Sequence, residues 1–260
     1  MRTGCKLVLA CTLMFLPTIL SAATVPLKLK LAHRLDQLMT ELRFTDREPE
    51  QASFISRILV LEERMRMDFG RDDQGFVLFD RSTRDIWHVS PSDQRVTRAA
   101  VDKPAGKAAA VWPKDWRLTQ DEMASDTGVL VQIRLNDVLC AEFKAIPMLM
   151  HETALLADFR RALSARQAAV WLDTPMDQRQ PCALALDMYA AGVEYARGLP
   201  LAIRYWDGRT RLYQGHQRLP SRPELFELPA GYVHSLTRSL KGTEGQGKLD
   251  RRQPEVSQVR

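Results

Sequence analysis

Cysteine is scarce, with four in 260 residues, and two of these, Cys5 and Cys11, fall in the first eleven positions. No C-x-x-C occurs, so neither a thioredoxin-type redox centre nor a structural zinc site is expected. Histidine is scarce too: His33, His88, His151, His216 and His234 are the full set. They are dispersed, and no H-x-x-x-H or H-E-x-x-H puts two on one helix face. The nucleophile elbow G-x-S-x-G is missing. Residues 70–75 hold two acids and lack the lysine and repeated glycines of a phosphate loop. Glu62 and Glu63 are sequence neighbours; on one strand they point to opposite faces and make no catalytic dyad. Glu63 interrupts an apolar face, where it meets either a basic partner or a ligand. No catalytic constellation, cofactor or metal site is expected, and the chain reads as a non-enzyme. A hydrolase would need His88 or His151 beside a nucleophile that spacing does not place.

What is present is ordinary globular material, 45% hydrophobic and 27% charged, with 7% aromatics. Residues 1–23 begin with Arg2 and Lys6, continue with about fourteen apolar residues and end on Ser21, Ala22 and Ala23. This is the layout of a secretory signal peptide cleaved near Ala23. A membrane span needs about 20 residues, and Pro17 interrupts this run. Arg2 and Lys6 leave with the signal and no acid does, so the formal charge falls from +5 to +3. Nucleic acid is not an expected partner for an exported chain of that balance; the membrane contact expected is peripheral at most. Cys140 and Cys182 remain. An oxidising compartment would make them a disulfide, whereas otherwise they are two buried free thiols.

Patterning then divides the chain. Leu31, Leu35, Leu38, Met39 and Leu42 fall at helical spacing and predict an amphipathic helix over 27–43. Period-two alternation predicts one long strand over 59–69, with Leu59, Leu61, Met65, Met67 and Phe69 on its apolar side. Arg57, Arg64 and Arg66 read as a solvated face with cross-strand acid partners. Further strands are expected over 76–81, 84–90 and 94–98, then 129–135 and 138–145 around Asn136-Asp137, a pair that tolerates left-handed geometry. Val129, Val131, Ile133 and Leu135 share a face. A helix is expected over 152–171, a second, short helix or turn over 182–191, and a hairpin around Asp207-Gly208. Residues 99–115 read as a loop, 225–229 as the end of the ordered chain, and 241–260 as a disordered polar tail. The domain scheme is a signal over 1–23, one domain over 24–240, and the tail.

Five pieces of sequence carry a resemblance. They are RILVLEERMRMDFG (57–70), GFVLFDRSTRDIWHVSPSDQRV (75–96), NDVLCAEFKA (136–145), GLPLAIRYWDGR (198–209) and LFELPAGY (225–232). Together they resemble uncharacterised bacterial periplasmic proteins of the LolA/LolB-like, lipoprotein carrier-like superfamily. The likeness covers residues 54–232. It implies an α+β fold: a strongly curved antiparallel sheet forming an open, unclosed β-barrel, with helices packed in or over its mouth. The carriers of that superfamily hold acyl chains in an apolar cavity, and no site residue of theirs transfers to a position here. The resemblance also implies that Cys140 and Cys182 staple a strand to a helix.

The expectation is a periplasmic, non-enzymatic protein binding a lipid, an acyl chain or a lipidated protein, as in lipoprotein transport. Leu59, Leu61, Met65, Met67, Phe69, Val129, Val131 and Ile133 are the expected cavity lining. Methionine side chains adapt to irregular apolar shapes and suit such a wall, though they suit a plain core as well. The alternative is an envelope scaffold whose core is filled and whose outer face or tail meets a protein partner.

Overall fold

The computed structural model describes residues 38–99 and 115–237. The expected signal peptide (1–23), the first part of the expected helix (27–37), most of the expected loop (99–115) and the expected tail (241–260) lie outside the described residues. Among the described residues there are twelve strands: β1 (Leu38–Arg47), β2 (Phe54–Leu61), β3 (Arg64–Asp68), β4 (Phe76–Asp80), β5 (Asp85–Ser90), β6 (Arg95–Ala99), β7 (Leu118–Ser125), β8 (Gly128–Leu135), β9 (Val138–Ile146), β10 (Leu199–Tyr205), β11 (Thr210–Pro220) and β12 (Val233–Thr237). They form one sheet in the order β12-β6-β5-β4-β3-β2-β1-β11-β10-β9-β8-β7. Its two end strands, β12 and β7, do not pair with each other, so the sheet is open. Neighbours are antiparallel except β12, which runs parallel to β6, and this makes the sheet mixed rather than purely antiparallel.

Between β9 and β10 lies the helical part: α1 (Met150–Asp173), a 3₁₀ turn (Met176–Gln178), α2 (Pro181–Leu184), a π-helical turn (Ala185–Tyr189) and a 3₁₀ turn (Val193–Tyr195). α1 has neither glycine nor proline inside it and is rich in alanine and unbranched side chains, which favours the helix. Glu152 sits in its first turn, where a carboxylate complements the helix dipole. Thr174 caps its end by donating to the Val170 carbonyl at 2.7 Å.

Four expectations need correction. Residues 38–43 are strand, not helix; in β1 Met39, Thr40, Glu41 and Leu42 are consecutively buried, so both faces are covered and no alternation marks the strand. The single long strand over 59–69 is a hairpin of β2 and β3 turning at Glu62-Glu63, with Glu62 at φ 52°. The chain stays ordered past 229, through β12. Strand β7 has no counterpart in the expectations. The hairpins at Asn136-Asp137 and Asp207-Gly208 form as their turn chemistry predicts, with Asn136 and Asp137 both at positive φ.

Each face of the sheet buries a different set of side chains. On one face Leu155, Leu156, Ala157, Phe159 and Ala162 of α1 share a cluster with Leu42, Phe44, Ile58, Val60, Met65 and Phe79. Phe79 and Phe159 meet edge to face at 5.6 Å, a contact worth about 1 kcal/mol beyond its burial. Beside it, Val131, Ile133, Phe143 and Ile203 pack with Leu186 around the Cys140–Cys182 disulfide. The other face is crossed by the chain between β11 and β12. There Leu225 and Phe226 cover Met39, Leu59 and Leu61, while Leu228 and Tyr232 pack against Phe76, Leu78, Val89 and Val96.

Candidate functional site: a cavity between the sheet and α1

Cross-strand pairing lines up Ile58, Met67, Val77, His88 and Thr97, one each from β2 to β6. Strands lie ~4.8 Å apart, so this row is a floor roughly 19 Å long across the sheet. Ile86 and Ala99 extend it, and Leu156, Phe159 and Leu163 of α1 form the roof. Together they enclose a cavity of about 500 Å³. The volume falls within the ~300–1,000 Å³ usual for small-molecule sites, and the wall is mostly aliphatic.

The polar groups of the wall are His88, Thr97, Arg160, Tyr195 and Arg211. His88 is exposed, so the cavity meets solvent beside it. Thr97 shares a 3.1 Å hydroxyl–hydroxyl hydrogen bond with Ser235 of β12. The remaining three gather with acids at the buried end. Arg211 donates twice to Asp46, at 2.7 and 2.9 Å, and once to the Tyr195 hydroxyl at 3.0 Å. Ser56 donates to the same Asp46 at 2.6 Å. The Arg211 guanidinium also lies over the Phe44 ring, 5.2 Å from its centre. Arg160 donates to Glu194 at 3.0 Å and lies 3.7 Å from Asp187. Burial pushes the Asp187 carboxyl above its usual range, against the pull of Arg160 and a hydrogen bond from Trp171. Burial also pushes the Tyr195 hydroxyl up, against the nearby Arg211, so it stays a phenol at any physiological pH.

Of the eight residues expected to line a cavity, Met67 alone stands in this wall. Met65 is one layer aside, fully buried in the core under α1. Leu59 and Leu61 lie on the opposite face beneath Leu225 and Phe226. Phe69 is 48% exposed and meets Phe54 edge to face at 5.8 Å. Val131 and Ile133 are buried in the disulfide cluster, with Val129 packed against it. The cause is the turn at Glu62-Glu63: a two-residue hairpin reverses parity, so odd-numbered positions change face between β2 and β3. Glu63, expected to meet a basic partner or a ligand, lies on that turn 3.3 Å from Arg81. Arg57 and Arg66 are also displaced from expectation. They are buried with Asp68 on the crossed face rather than solvated.

No family model matches this chain, and no curated protein matches it. Solved structures give distant likenesses. This chain is similar to an uncharacterised conserved protein from Thermus thermophilus, at 10% identity and a TM-score of 0.37 over 81% of this chain and 99% of that one. It is similar to PNGF-II at 8% identity and a TM-score of 0.36, over 77% of this chain and 31% of that one. A LolA superfamily protein, NE2245 from Nitrosomonas europaea, matches at 10% identity and a TM-score of 0.26, over 77% of this chain and 94% of that one. Likenesses this low assign neither a family nor a ligand.

Proposed function

We propose that this chain is an exported, non-enzymatic protein that holds one acyl chain, of a lipid or a lipidated protein, between the sheet and α1. The sheet acts as an open, curved half-barrel and the helices as its lid. The observation that carries the reading is the cavity itself: aliphatic, elongated across five strands, and joined to solvent beside His88. At ~30 Å³ per small group, its 500 Å³ holds roughly sixteen heavy atoms, enough for one chain and too few for two long ones. Each methylene buried there contributes about 0.8 kcal/mol before the cost of ordering the ligand is subtracted.

The test is a titration with N-phenyl-1-naphthylamine, a neutral fluorophore that brightens in apolar sites. Wild type is expected to bind it, and Val77→Phe, which fills the middle of the floor, is expected to weaken binding at least tenfold with little change in melting temperature. Absence of binding by wild type, or equal binding by the filled variant, contradicts the reading.

A further inference from the structure

The sheet ends on β7 at one side and on β12 at the other, and among the described residues no strand pairs with either outer edge. A free edge is a row of unpaired backbone donors and acceptors, which proteins blunt with charge, proline or bulges. The two edges differ in this respect. β7 carries Asp121 and Glu122 at its centre. Opposed residues of an antiparallel pair share a face, so a two-fold pairing of β7 with a second β7 sets positions of like parity opposite each other. The two registers of fullest overlap put Asp121 opposite Asp121 or Glu122 opposite Glu122, and like charges directly opposite destabilise. β7 is thereby guarded against its own copy. β12 reads Val233-His234-Ser235-Leu236-Thr237, with no proline and no Asp, Glu, Lys or Arg. Its Val233 and Leu236 are the most exposed large hydrophobic residues among those described, at 64% and 62%.

Backbone direction fixes the register that β12 offers. The Val233 amide donates to the Gln94 carbonyl at 2.8 Å, towards β6. Backbone groups alternate between the two edges of a strand, so those of Ser235 and Thr237 also turn inward and those of His234 and Leu236 face outward. A second β12 laid antiparallel meets both outward residues in a single register. His234 then stands opposite Leu236 of the second copy, Leu236 opposite its His234, and Ser235 opposite Ser235 on the two-fold axis. Each His234–Leu236 pair exchanges two backbone hydrogen bonds, where registers shifted by two positions keep only one such pair within the strand. Val233 of each copy meets Thr237 of the other, and no two acids or bases of β12 are opposed.

We infer that the outer edge of β12 is a self-association surface and that its occupant is a second copy of this chain, paired antiparallel about Ser235. The pairing extends the cavity floor. Ser235 continues the row of Ile58, Met67, Val77, His88 and Thr97, and shares a hydrogen bond with Thr97 at 3.1 Å. Across the axis the row runs on through Ser235 and Thr97 of the second copy, so the two floors join edge to edge. The inference stands independently of what the cavity holds.

A contact of five residues a side is smaller than a standard interface, so the expected dimer is a weak one. The test uses Ser235, because a substitution on the axis faces itself. In sedimentation equilibrium at roughly 1 mM, wild type is expected to dimerise. Ser235→Lys and Ser235→Glu are each expected to associate roughly fivefold more weakly, and an equimolar mixture of the two to recover the loss, since unlike charges then face each other. Recovery in the mixture also shows that both variants fold. Should either fail to fold, a cross-link decides. Position 235 forms the non-hydrogen-bonded pair, with Cα atoms ~4.5 Å apart and within disulfide reach. With Cys140 and Cys182 already joined, Ser235→Cys is expected to give a covalent dimer on mild oxidation, and His234→Cys, which faces Leu236, is not. Equal cross-linking at the two positions, or Lys and Glu variants that associate as well as wild type, overturns the inference. A wild type that stays monomeric until residues 241–260 are removed overturns it and gives the edge to the chain's own tail. A protein monomeric in both forms overturns it as well and leaves the edge to a strand of another protein.

Discussion

Asp68 holds two buried arginines at once. It accepts from Arg57 at 2.8 and 2.7 Å and from Arg66 at 2.9 Å. Arg66 also reaches the Leu225 carbonyl at 3.2 Å and so ties the crossing segment to β3. Removing the carboxylate would leave two buried cations short of a partner. Asp68→Ala is therefore expected to lose about 3–5 kcal/mol, read from the urea midpoint, whereas breaking an exposed pair such as Arg71–Asp73 is expected to leave that midpoint close to wild type. Asp72 adds a pH dependence. Burial pushes its carboxyl up, but hydrogen bonds from Arg57 and Arg222 and their charge outweigh this and hold it below its usual value. A depressed folded value stabilises above the unfolded carboxyl's ~3.9 and is lost as pH falls through the folded value. Asp72→Asn is thus expected to flatten the acid limb of a stability–pH profile below about pH 4 and to leave the slope between pH 6 and 8 unchanged.

Residue types alone did not mark this network or the cavity end. Arg57 and Arg66 alternate with acids, a pattern shared by a wet sheet face and a buried clamp; the difference is the segment around Leu225, far along the chain. Tyr195 and Arg211 carry no local signal, because their roles come from a 3₁₀ turn and a strand that meet only in the fold. Where chemistry is local it was legible: Asn136-Asp137 announced its turn. Asp137 sits at φ 66°, which glycine adopts without strain, so Asp137→Gly is expected to raise stability by up to ~1 kcal/mol, or about 2–4 °C in melting temperature.

At the scale of elements, a disulfide fastens the helical part to the sheet and one glycine packs the helical part against itself. Cys140 of β9 and Cys182 of α2 are joined across 42 positions of sequence. A loop of that length implies about 4 kcal/mol of stabilisation through the unfolded chain. A Cys140→Ala, Cys182→Ala double variant is expected to melt well below wild type, and only wild type should respond to reductant. The glycine is Gly192, at φ 80°, where an added Cβ would lie 2.6 Å from the Ala157 carbonyl oxygen of α1. That close approach lets the turn bearing Tyr195 sit against α1. Gly192→Ala is expected to destabilise the fold and to weaken fluorophore binding together, a pairing that distinguishes it from Val77→Phe. α1 was readable from the helical spacing of Leu155, Leu156, Phe159 and Leu163, which pack into the core. β1 was not, because burial on both faces left leucines that happen to fall at helical spacing. The β2–β3 hairpin was not, because Glu62-Glu63 lacks the glycine or asparagine that marks a turn and the alternation runs straight through it.

For the whole molecule, the proposed function joins the expected export signal with the open sheet and the apolar cavity. Export predicts a mature chain beginning at Thr24, readable by N-terminal sequencing of protein from the cell envelope; an intact Met1 would contradict it. The central claim is occupancy of the cavity, and the most direct measurement examines the protein as cells make it. The chain is exported with its own signal, purified without detergent, extracted with organic solvent and analysed by mass spectrometry against an exported protein of similar size. The account predicts an acyl-bearing molecule at near one per protein. An extract no richer in apolar molecules than the control would contradict it.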